Sequence, residues 1–261
     1  MEKLKDLMNQ FKINKKFVEY FSAYPECYVI IGGTAMLIVA RSLGLVTRIT
    51  KDYDIVLIES LSCKFIDTFH RFIKDGGYNL YTKSENKYHN LYRFDKPNNK
   101  EFPEMIELFS RKPINIDLKV DDQHTPLHFS ESESLSALIL NDKYYDLLQL
   151  GTELSEDNIP FIKLTHLIVF KAKAWLDLSA KKQIGEYVKN SDIKKYINDI
   201  FNLISGFKET DELVLKDEIR QNMQIFIGKL TNEKIDYAKN IGSSFSFSES
   251  IHILKKVYNL Q

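Results

Sequence analysis

Tyr28-Val-Ile-Ile-Gly-Gly-Thr34 and Asp52-Tyr-Asp-Ile-Val-Leu-Ile58 are the two stretches on which the reading of this chain turns. The first is a continuous apolar run closed by paired glycines, which suits a buried strand followed by a tight turn. Residues 35–43 then read as a helix, with Thr34 available as its N-cap. The second stretch is another mostly apolar strand, opened by two acids. Gly32 and Gly33 at a strand-to-helix turn let the backbone approach a ligand closely, and a helix N-terminus favours phosphate. In a strand, residues two apart point to one face, so Asp52 and Asp54 converge on the same spot. Two neighbouring carboxylates repel unless a cation lies between them, and Mg²⁺ bound through carboxylates and substrate phosphates meets that need.

Outward from this centre, residues 3–24 are amphipathic and predicted helical. A further helix over 62–74 stops at Asp75-Gly-Gly77. Two strands over 89–94 and 105–109 flank a segment with Pro97, Asn98, Asn99 and Pro103, and so form a hairpin with a long loop. Residues 114–120 alternate apolar and polar side chains and predict another strand, whereas 131–150 fit strand and helix equally. After Pro160 helical periodicity dominates, over 163–179, 191–206, 210–229 and 246–258. The fold class expected is α+β. Residues 1–160 form a mixed sheet with flanking helices, and 161–261 form a helical domain.

The chain has 261 residues, 44% of them hydrophobic and 28% charged, with 36 basic and 36 acidic side chains. Zero net charge argues against a general nucleic-acid coat protein and leaves room for a local basic groove. Cys27 and Cys63 have no metal-ligand spacing, which suits a reducing compartment. The N-terminus lacks the apolar stretch of a signal peptide, and the apolar run 28–40 is too short to span a bilayer. The expected location is cytoplasmic, with no membrane partner. His166 is isolated, and there is no Gly-x-Ser-x-Gly elbow or Walker-type loop.

Two charged residues stand out against their apolar surroundings. Glu107 shares its strand face with Met105 and Phe109, where a lone acid is costly unless paired or metal-bound. Asp117, the alternative third carboxylate, shares its face with Asn115 and Lys119, an ordinary solvated pattern. In 163–179 the stripe Leu164, Leu167, Ile168, Trp175, Leu178 has Lys171 in its middle. That lysine either snorkels to the surface or points its charge into a cleft. Asp192, Lys195 and Asp199 recur at i, i+3, i+7, as on an exposed helix face with internal ion pairs.

Taken together, strand, Gly-Gly turn, helix and Arg48-Ile-Thr50-Lys-Asp52-Tyr-Asp54 resemble the signature of the DNA polymerase β-like nucleotidyltransferase superfamily. The run Arg48-x-Thr50-x-Asp52-x-Asp54 is similar to the toxin-type AbiEii abortive-infection branch. So are Lys171-Ala-Lys-Ala-Trp175 and Asp192-Ile-Lys-Lys-Tyr-Ile-Asn-Asp199, which resemble its lysine helix and the acidic helix after it. One departure is the spacing: eighteen residues separate Gly33 from Asp52, several more than is usual in the superfamily, and a longer helix or loop through 41–46 would absorb them.

The resemblance spans about residues 28–204. It implies a nucleotidyltransferase-type sheet, with a helical domain closing the active-site cleft. Asp52, Asp54 and a third carboxylate, Glu107 or Asp117, would hold two Mg²⁺ ions. Gly32, Gly33, Thr34, Arg48 and Lys171 would bind an NTP. The acceptor it implies is RNA, tRNA included, or a protein hydroxyl, with a cognate antitoxin as partner. An antibiotic-modifying nucleotidyltransferase and a non-catalytic nucleotide- or partner-binding module are the alternatives.

Overall fold

The computed structural model describes residues 12–58, 62–81, 89–114, 141–233, 236–241 and 243–260. It is a mixed α+β protein with a seven-stranded mixed sheet, flanking helices and a helical C-terminal part. Its contacts divide the chain into two compact units, Met1–Ile38 with Arg48–Ile162, and Val39–Thr47 with Lys163–Gln261. No helix among the described residues is long and apolar enough to cross a membrane.

In the first unit, helix α1 (Lys15–Phe21) leads to β1 (Tyr28–Ile31), α2 (Gly32–Ser42, whose end from Val39 is assigned to the second unit), β2 (Asp52–Leu57) and α3 (Cys63–Gly76). Then follow β3 (Asn79–Tyr81), β4 (His89–Asp95), β5 (Met105–Ile114), α4 (Asp142–Leu150), β6 (Thr152–Leu154) and β7 (Pro160–Ile162). The strand order is β3-β4-β5-β2-β1-β7-β6, with β2 central, antiparallel to β1 and parallel to β5.

One face of this sheet is aromatic. Tyr28, Tyr53 and Phe94 are buried there, against Phe17 and Phe21 of α1 and Phe65, Phe69 and Phe72 of α3. Helix α3 presents those rings because they recur at i, i+4, i+7, and it is closed by Ser62 as N-cap and by left-handed Gly77. Tyr53, between the two acids in sequence, points into this cluster, where its hydroxyl accepts the Asn14 N–H at 2.7 Å. Alternation therefore turns Asp52 and Asp54 to the opposite face, both half-buried.

In the second unit, α5 (Leu164–Gln183), α6 (Asn190–Ile204), α7 (Asp217–Asn232), α8 (Tyr237–Ile241) and α9 (Phe247–Val257) follow one another. Trp175 meets Phe226 edge-on, and Phe201 lies against Tyr237 and Phe247. A capping box between Ser246 and Glu249 starts α9, and the buried Tyr258 hydroxyl donates to the Thr165 carbonyl at 2.7 Å.

Several expectations are corrected. Helix α2 begins at Gly32, so Thr34 lies inside its first turn and is not its N-cap. The helix predicted from residue 210 begins at Asp217, and in the segment before it the Leu213 N–H is taken by the Val257 carbonyl at 2.8 Å rather than by a helical partner. Strand β5 runs on to Ile114, and the rest of the strand predicted over 114–120 lies outside the described residues. The ambiguous segment resolves as helix from Asp142, its earlier part being outside the described residues. The extra residues before Asp52 form the end of α2 and a loop with left-handed Gly44, where Asn202 donates to the Val46 carbonyl at 2.8 Å.

His166 is a buried imidazole in α5, with Nδ1 2.9 Å from the Thr165 hydroxyl. Burial, aided by the charge of Lys163, lowers its pKa from 6.5 to about 4. Between those values the unfolded chain binds a proton that the folded chain does not, so stability rises with pH. The contribution is full above the unfolded value and lost as pH falls through about 4. Urea unfolding at stepped pH should show a loss of about 3 kcal/mol over this window that is absent in His166→Gln. An identical slope in the variant would contradict this assignment.

Candidate functional site

The candidate site starts from the end of β1. Ile31 lies opposite Asp54 in the antiparallel β1–β2 register, so the chain turns into α2 directly beside that acid. Gly32 has φ +64°, a left-handed conformation, and a Cβ built on it would stand 1.8 Å from Asp54 Oδ2. Glycine is required there both by backbone conformation and by space. A Cβ on Gly33 would lie 3.0 Å from the Thr50 hydroxyl oxygen. The buried Thr34 hydroxyl donates to the Asp52 carbonyl at 2.6 Å, and the Asp52 N–H donates to Thr50 Oγ1 at 3.4 Å. Thr34 thus ties the first turn of α2 to the entrance of β2, while Thr50 braces that entrance locally.

The parallel β2–β5 register sets Asp54 opposite Glu107 and Asp52 opposite Met105. Partner residues across a pair of strands share a face, so all three predicted carboxylates lie on one side of the sheet. Glu107 is buried, 4% exposed, and is not alone. In the β4–β5 register it faces Arg93, whose Nε donates to Glu107 Oε1 at 2.5 Å and whose Nη2 bonds the same oxygen. The cost of an acid on an apolar face is thus met by a counter-charge. Among the described residues, no three His, Cys, Asp or Glu side chains are gathered closely enough to hold a metal ion as they stand. Arg93 was not singled out from sequence. Its only signal was a lone cation between Tyr92 and Phe94, the mirror image of the lone acid in β5.

Arg48 is exposed on the segment between α2 and β2. Asp117 lies outside the described residues.

In the second unit, Lys171 is 2% exposed, which overturns the snorkelling alternative. Its ammonium donates to Asp199 Oδ2 at 2.7 Å and lies 5.7 Å from the centre of the Tyr196 ring. The charge expected to face a triphosphate is therefore engaged by a carboxylate. Asp199, 3% exposed, does not belong to a solvated face. Asp192 is half-exposed in the first turn of α6, where the helix dipole favours an acid, and Lys195 sits over the Tyr196 ring at 5.7 Å. Lys173 pairs with Asp177 one turn on.

Compared with protein-family models, with curated proteins and with solved structures, the chain gave no match in any of the three.

The Lys171–Asp199 pair makes a prediction independent of catalysis. Removing Lys171 takes the counter-charge of this pair from a buried carboxylate, so Lys171→Met should cost about 3–5 kcal/mol of stability. Lys171→Met with Asp199→Leu should recover most of it, since both charges go together. Denaturant titration of the single and double variants checks this. A double variant as unstable as the single would show that the loss comes from packing rather than from an orphaned charge.

Proposed function

We propose that the chain is a metal-dependent nucleotidyltransferase, moving a nucleoside monophosphate from an NTP to an acceptor hydroxyl. The observation that carries this reading is the register that sets Asp54 beside Glu107 on one face, with Asp52 two residues away and the Gly32 backbone against Asp54. The order of elements supports it too: strand, glycine turn, helix, antiparallel strand with the acid pair, then a parallel strand with a third acid. This matches the resemblance to the DNA polymerase β-like superfamily.

The donor set fits a hard divalent cation. Its oxygens are carboxylates, two of them half-buried, and Asp54 Oδ2 fills the space that any side chain at position 32 would need. Mg²⁺ held there, as one ion or two, supplies positive charge to the α-phosphate and to the leaving pyrophosphate. Asp52 and Asp54 offer the oxygens that orient the reacting phosphate. The first turn of α2, from Gly32 onward, offers main-chain N–H groups and a positive helix end to the outer phosphates.

In the reaction the acceptor oxygen forms a bond to the α-phosphorus, and the bond to the β-phosphate oxygen breaks. Pyrophosphate leaves with that electron pair. The hydroxyl proton passes to a nearby base, for which Glu107 is the candidate on this face. Positioning and electrostatics carry the catalysis. The charge of Lys171 is engaged by Asp199, so the site on the sheet is assigned its phosphate contacts without it. An RNA or protein acceptor, and an antitoxin partner, rest on the resemblance to the AbiEii branch alone.

Incubating the purified protein with Mg²⁺, cell extract and each NTP labelled at the α-phosphate tests the reading. One nucleotide should transfer label to a macromolecule, the γ-labelled form should transfer none, and Asp54→Asn should abolish transfer while remaining folded. Nucleotide binding without transfer would favour a non-catalytic module. Transfer retained in Asp54→Asn would remove the acid pair from the mechanism.

A further inference from the structure

We infer that Arg93 is a built-in counter-cation of the acid face, and that its charge sets how tightly that face takes up a divalent ion. The inference rests on the reading of Asp52, Asp54 and Glu107 as a metal site. Two adjacent register rows hold the acids. One runs Ile31, Asp54, Glu107, Arg93, and the other Asp52, Met105, Asp95. The two rows bring four carboxylates and the Arg93 guanidinium onto one face.

The placement of that guanidinium is not adjustable by the backbone. Strand β4 is paired on both edges, to β3 and to β5, and Tyr92 and Phe94 on either side of Arg93 are buried. Arg93 is therefore held over Glu107, the most deeply buried acid of the group, and Nε and Nη2 converge on a single oxygen. Asp95, two residues along β4 and on the same face, has Oδ1 buried with no hydrogen-bond partner among the described residues.

A divalent ion entering between Asp54 and Glu107 would act on the carboxylate that Arg93 already neutralises. Two cations at neighbouring positions repel, so the guanidinium lowers the affinity for the ion. Arg93 also keeps Glu107 compatible with burial before the ion arrives. On this account Arg93 is a positioning residue. Its removal should strengthen metal binding while weakening the metal-free fold.

Mn²⁺, titrated as a probe by calorimetry and electron paramagnetic resonance, separates the outcomes. Wild-type protein should bind Mn²⁺ in a manner lost in Asp54→Asn. Arg93→Gln should bind it at least about tenfold more tightly, because a like charge has been removed from beside the site. Arg93→Lys keeps the charge and should stay within about twofold of wild type. Where Arg93→Gln does not fold without metal, recovery of its far-ultraviolet circular dichroism by Mn²⁺ is the supporting result.

Unchanged or weaker binding in Arg93→Gln would overturn the inference. So would Arg93→Lys behaving like Arg93→Gln, or Arg93→Gln remaining unfolded at all Mn²⁺ concentrations. If neither wild type nor Arg93→Gln shows binding that depends on Asp54, the metal-site reading itself falls.

Discussion

The close approach of the Asp54 carboxylate to the Gly32 backbone is the constraint around which the first unit is organised. A carboxylate oxygen occupies the space where a side chain at position 32 would begin, and the backbone there is left-handed. The glycine therefore allows β1 to turn at once into α2 while β2 runs alongside it. Thr34 and Thr50 fasten the same corner through their hydroxyls. The result is a helix start, a half-buried acid pair and a third acid of the neighbouring strand brought to one corner of the sheet.

The sheet divides its labour by alternation. Tyr53 faces the aromatic cluster of α1 and α3, and that cluster holds β2 in place from the side opposite the acids. A phenylalanine or tyrosine buried in this way contributes about 1.5–3 kcal/mol, and such burial offsets the cost of keeping carboxylates together on the other face. Among the described residues, the buried charges Glu107, Lys171 and Asp199 each meet an opposite charge, Glu107 the half-buried Arg93 and Lys171 and Asp199 one another. Both pairs join neighbouring elements, β5 to β4 and α5 to α6, and so fix how those elements are placed side by side.

How much was legible in sequence depended on whether the signal was local. The strands at 28–31 and 52–57 were readable as apolar runs bounded by Gly-Gly and by the acid pair, and the long helices after residue 163 by an apolar period that runs over enough residues. Three-residue strands β3, β6 and β7 were not, since a period of two cannot be recognised over so short a run. The two charge anomalies, Glu107 and Lys171, were correctly seen as needing an explanation. Their partners were not visible, because Arg93 meets Glu107 through strand register and Asp199 meets Lys171 through helix packing. Thr34 was recognised as a residue at the helix start, but its bond to the Asp52 carbonyl required the fold to be known. The strand expected around Asp117 lies outside the described residues and adds nothing to either side.

The central claim, that the acid face takes a divalent ion together with a nucleotide, is tested most directly by locating the ion. Crystals grown with Mn²⁺ and a non-hydrolysable NTP analogue would be measured at the manganese absorption edge. The account predicts an anomalous peak coordinated by Asp52 and Asp54, with Glu107 adjoining it and the phosphates lying along the first turn of α2. A fully occupied nucleotide bound elsewhere, or a manganese peak away from the Asp pair, would contradict it.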